Sequence, residues 1–92
     1  MNAPIEQPHP GVVAFFQAGQ NLFFNLRDRW QDEQEYEDIN DYKVPVDKLA
    51  ATHNVVIEKM TKRPFGCIFR DADGNRFQIR VTARTYQLEQ AR

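Results

Sequence analysis

The stretch Gly11–Trp30 limits what this chain can fold into. Val12, Phe16, Gly19, Phe23, Leu26 and Trp30 follow one another at spacings of 4, 3, 4, 3 and 4. That rhythm belongs to one face of a helix. Phe15 and Leu22 widen the stripe, while Gln17, Asn21, Asn25 and Asp28 fall opposite it. The pattern predicts one long helix over 10–34, roughly 35 Å at 1.5 Å per residue. Pro10 suits its first turn, where a missing N–H costs little. Gly19 costs about 1 kcal/mol against Ala in a helix interior, so close backbone approach or a bend is expected there. Val13 and Phe24 lie off the stripe; a second element covering Phe24, or a partner, would account for it.

Such a helix needs a second layer, and the rest of the chain supplies one. The segment Val44–Asn54 contains a short second helix over 45–53, opened by Pro45 or capped by Asp47, with Asn54 as its stop. Residues 55–82 read as a three-stranded β-meander. Val55–Thr61 is β-branched and apolar, and Lys62-Arg63-Pro64 turns the chain. Phe65–Arg70 follows, then Asp71-Ala72-Asp73-Gly74-Asn75, a strong turn sequence in which Gly74 can take positive φ. From Arg76 to Thr82 the alternation is strict, with Phe77, Ile79 and Val81 inward and Arg76, Gln78 and Arg80 outward. Residues 83–92 are expected to form a tail, extending the strand briefly before becoming helical or disordered. The expected fold is therefore α+β: one helix roofing a three-stranded antiparallel sheet. With 92 residues the chain is a single domain, preceded by an extended lead-in over residues 1–9. Its core is modest, and each buried Phe contributes about 1.5–3 kcal/mol.

Charge is balanced overall and unbalanced along the chain. Residues 1–53 hold four basic and nine acidic side chains; residues 54–92 hold eight basic and four acidic. Such polarity steers a partner or draws the two halves together. Six acids crowd into residues 32–41 without a base. They should fray the helix end, where acids meet the negative pole of the helix dipole, and leave a loop. Tyr36, Ile39 and Tyr42 could still tack that loop down. The segment is either a solvated surface or an acidic patch that imitates nucleic-acid phosphates against a basic groove. Arg76 and Arg80 offer a second surface, with Arg63, Arg70 or Arg84 near. That outer face carries no stacking aromatics, so phosphate contact fits it better than base recognition.

Catalytic chemistry is thinly represented. His9, His53 and the lone Cys67 give at most an incomplete zinc set at no recognisable spacing. Cys67 falls in an apolar strand, as a small buried residue would. The Asp71–Asn75 stretch lacks the later glutamate of a calcium loop and reads as a hairpin turn. No metal or cofactor and no enzymatic activity is expected. No apolar run reaches the roughly 18–20 residues that span a bilayer, and one cysteine precludes an internal disulfide. An intracellular setting is the expectation.

Gly11–Phe24 and Gly66–Val81 carry a resemblance to small phage-encoded anti-CRISPR proteins. The chain is most similar to the family numbered eight among inhibitors of the type I-F CRISPR surveillance complex. The resemblance implies a non-enzymatic inhibitor acting in the host bacterial cytoplasm. Its partners would be subunits of the type I-F complex and its guide RNA, with no small-molecule substrate and no membrane. Such an inhibitor prevents target DNA from being recruited or paired with the guide. Anti-CRISPR families share no common motif, so no site residues carry over. On charge alone, Glu33, Glu35, Glu37, Asp38 and Asp41 are the candidates for contact with basic subunits. Arg63, Arg76 and Arg80 are candidates for guide-RNA phosphate or an acidic protein surface. The alternative is a small nucleic-acid-binding regulator that uses the basic outer face of the last strand.

Overall fold

The computed structural model describes residues 9–91. Helices lie against one face of a four-stranded antiparallel sheet ordered β1-β2-β3-β4. The elements run α1 (Pro10–Ala18), α2 (Gln20–Glu33), a 3-10 turn (Ile39–Tyr42), α3 (Lys43–Ala51), β1 (Val56–Lys62), β2 (Phe65–Arg70), β3 (Arg76–Val81) and β4 (Tyr86–Gln90). The α+β class and the meander agree with the sequence reading. The helix and strand counts do not.

The single helix expected over 10–34 is two helices meeting at Gly19. Hydrogen bonding runs through the joint, Gly19 N–H donating to Phe15 O and Phe23 N–H to Gly19 O. A Cβ at Gly19 would stand 2.9 Å from Tyr86 Oη and 3.2 Å from both Phe15 O and Phe23 Cδ2. The bend and the close approach thus occur together. Tyr86 donates its hydroxyl hydrogen to Phe16 O, and its ring stacks on Phe16 with centroids 4.3 Å apart. This redistributes the stripe: Phe15, Phe23, Leu26 and Trp30 are buried in the core, whereas Phe16 is only partly buried, beneath Tyr86.

Tyr86 belongs to the second correction. The tail expected over 83–92 contains a fourth strand, paired to β3 through Ile79↔Leu88 and Val81↔Tyr86. Thr82 and Thr85 close the hairpin: Thr85 N–H donates to Thr82 Oγ1 at 3.1 Å. The two hydroxyl groups lie 2.7 Å apart. Tyr86 and Leu88 pack against the core at alternate positions, a period-2 signal too short to stand out in the sequence. Tyr86 also supplies the cover expected over Phe24, their centroids 5.9 Å apart.

The third helix begins at Lys43, two residues before the expected start. Pro45 is accommodated in its first turn, where intrahelical donors are not needed. Asp47 does not cap this helix; its carboxylate accepts from Lys43 Nζ at 2.9 and 3.0 Å. Asn54 ends the segment with φ of 58°, as expected of a stop residue. Of the expected lead-in only His9 is described; its Nδ1 accepts from Gly11 N–H at the start of α1.

The β2–β3 turn is built around Asp71, a carboxylate 6% exposed. Its Oδ1 accepts from Asp73 N–H and Asn75 N–H, each at 2.9 Å, and Oδ2 accepts from the Asn75 amide at 3.2 Å. Burial disfavours the charged form, but these bonds outweigh it and hold the carboxyl below its ordinary range. A depressed folded-state value means stability that is present above the unfolded value of about 3.9 and lost as pH falls through the folded value. Asp71→Asn keeps an acceptor and loses the charge, so its unfolding midpoint should fall less steeply than wild type below about pH 4. Asp71→Ala should cost about 1–2 kcal/mol at pH 7. Denaturant unfolding from pH 7 to pH 2 measures both.

Candidate functional site

The acidic candidates gather where α2 ends and the 3-10 turn begins, but they differ in what they hold. Glu37 Oε1 accepts from Arg29 Nε at 3.1 Å and Nη2 at 2.9 Å. That pairing raises the Arg29 guanidinium above its ordinary value. Asp38 Oδ1 accepts from Asn40 N–H at 2.9 Å and so caps the 3-10 turn. Both carboxylates serve the fold. Glu33, Glu35 and Asp41 are exposed and form no ion pair among the described residues. Ile39 and Tyr42 tack the segment down as expected, but Tyr36 does not: it stands 81% exposed among the acids.

Beneath this acidic pole lies a ladder of cations and rings. Arg29 sits 5.4 Å from the Tyr42 ring centroid. Tyr42 meets Trp30 edge-on at 5.6 Å, and Lys62 stands 5.9 Å over Trp30. Tyr42 Oη is buried and makes no hydrogen bond of good geometry among the described residues, with the Glu37 carboxylate as its polar neighbour. Burial, with the Glu37 carboxylate beside it, raises the phenol above its usual range.

The basic candidates separate. Arg76 and Arg80 share the outer face of β3, an interior strand flanked by β2 and β4. Arg76 Nη2 lies 3.1 Å from Glu58 Oε1, and Arg80 Nη1 lies 3.6 Å from Glu89 Oε2. The sequence hid both pairings. Glu58 sits at a register shift between Ile57 and Lys59, and Glu89 belongs to the strand read as tail.

Arg63 is elsewhere, in the β1–β2 turn. With Arg27, Trp30, Lys62, Pro64 and Phe65 it lines a cleft of about 380 Å³ between α2 and that turn. Gln31 and Gln34 border it from the helix. The sequence reading named Arg63 and missed the cleft. The two sides lie roughly thirty residues apart in the chain, and only the packing of α2 on the sheet joins them.

Cys67 is fully buried, and burial pushes its thiol up, away from the thiolate form. Among the described residues no group of three His, Cys, Asp or Glu is placed to hold a metal, and no helix is long and apolar enough to cross a membrane. No protein-family model matches the chain, and comparisons with curated proteins and with solved structures give no match.

Proposed function

We propose that this chain is a non-enzymatic inhibitor that binds a type I-F CRISPR RNA-guided surveillance complex in the bacterial cytoplasm. It would block recruitment of target DNA or its pairing with the guide. The observation that carries this reading is the acidic pole. Glu33, Glu35 and Asp41 project exposed from a folded support and form no ion pair among the described residues, though Arg29 lies within electrostatic reach of Glu33; the exposed ring of Tyr36 stands beside them. Carboxylates held this way can occupy positions that DNA phosphates would take in a basic groove. Glu37 and Asp38 hold the support in shape instead of meeting the partner. The alternative, a regulator gripping nucleic acid through Arg76 and Arg80, has less support because both guanidinium groups already face carboxylates.

The test is co-elution of the purified chain with a type I-F complex, followed by a target-DNA binding assay. The wild-type chain should co-elute and abolish DNA binding. Glu33→Lys/Glu35→Lys/Asp41→Lys should lose capture by about 100-fold or more, since like charges then face one another. Independent elution of the wild type, with DNA binding intact, rejects the proposal.

A further inference from the structure

The cleft between α2 and the β1–β2 turn borders the acidic pole and carries chemistry of its own. Its volume, about 380 Å³, lies within the range of small-molecule sites, roughly 300–1,000 Å³. Trp30 and Phe65, 9% and 4% exposed, reach it at their margins, and half-buried Pro64 completes its apolar side. Lys62 and Arg63 stand exposed at its mouth, and neither forms an ion pair among the described residues. Arg27 adds a third cation, held only loosely by Asp28 at 3.6 Å. Gln31 and Gln34 contribute amides that can donate to and accept from the edge of a base.

Two considerations narrow the ligand. Two cations at one mouth, neither with a carboxylate partner among the described residues, match a dianion better than a single carboxylate, and a phosphate monoester carries about −1.5 to −2 at pH 7. The helix that forms one side of the cleft also carries exposed Asp28, Asp32 and Glu33, and exposed Glu35 follows its end. A strand continuing across it would drive further phosphates into those acids. One ring and one terminal phosphate fit; a long polyanion does not.

We infer that this cleft binds a nucleoside monophosphate, its base against the apolar side at Pro64 and the margin of Trp30 and its phosphate between Lys62 and Arg63. The phosphate monoester can belong to a free nucleotide or to the 5′ end of a short strand. Trp30 is the only tryptophan, so its fluorescence reports on this site alone. The experiment titrates the isolated full chain with uridine 5′-monophosphate, uridine, inorganic phosphate and a 5′-phosphorylated trinucleotide, and needs no CRISPR complex. Uridine monophosphate should quench Trp30 saturably, with uridine and inorganic phosphate each at least about tenfold weaker. Tighter binding of the trinucleotide assigns the strand end; weaker binding assigns the free nucleotide. Lys62→Ala/Arg63→Ala should weaken half-saturation by about tenfold or more, since two charge-assisted contacts are lost. Both side chains are exposed, and an unchanged circular dichroism spectrum shows that the fold is kept. No saturable quench by either phosphate ester overturns the inference. So does a folded double variant that binds as tightly as wild type, or a site that responds only to a glutamate-rich peptide.

Discussion

Gly66→Ala should leave the chain unfolded at 25 °C. A Cβ at this position would stand 1.9 Å from Ile79 O and 2.9 Å from Ile79 C. Both are backbone atoms, so no side chain can swing away to make room. Nor can the strand retreat. Gly66 lies in β2, paired to Thr61 of β1 on one side and Arg80 of β3 on the other. Relief requires separating β2 from β3, which exposes Phe65, Cys67, Phe69, Ile79 and Val81, all buried. The cost should exceed about 4 kcal/mol, where single substitutions become exceptional, and a small domain commonly has only about 5–15 kcal/mol to lose. Amide proton spectra should collapse to poor dispersion and the thermal transition should vanish. A cooperative melt within about 1 kcal/mol of wild type would show that the sheet can open at this point without penalty.

Phe15→Ala should cost about 3–5 kcal/mol. Phe15 is fully buried, edge-on to Phe69 at 5.0 Å and to Phe23 at 6.4 Å. It ties α1, α2 and β2 at one point, so its removal leaves a void bordered by three elements that cannot all close in. Phe24→Ala provides the comparison, because Phe24 is only partly buried and mainly faces Tyr86. It should cost about 1–2 kcal/mol, since part of the ring is already in water. Urea unfolding of the two variants measures the difference. Equal losses would mean that the stripe is not organised around Phe15.

The two layers could be read from the sequence because their signals are long. The stripe from Val12 to Trp30 and the alternation from Arg76 to Thr82 each repeat often enough to set a period. The turn at Asp71–Asn75 was equally plain, and Gly74 takes φ of 84° there. What escaped was short or depended on distant residues. The bend at Gly19 needs Tyr86, which lies far along the chain. The strand Tyr86–Gln90 spans five residues, and two half-buried positions do not make a period. Charge could be located but not assigned. Nothing local to Glu37 announces Arg29 eight residues earlier, nor Glu58 as the partner of Arg76 across two strands. The separation of candidate acids into structural and free groups is therefore tertiary information.

The clasp between Tyr86 and Phe16 has a consequence for biogenesis. Its partners are seventy positions apart, so the elbow at Gly19 has no lid until residue 86 has been synthesised. Until then Phe16 and Phe24 lack the Tyr86 ring they lie against. Closure of such a distant contact falls late, after the loop entropy between its ends has been overcome. The nascent chain thus presents an aromatic surface until β4 has been made to conceal it, and it depends on dilution or chaperones until then.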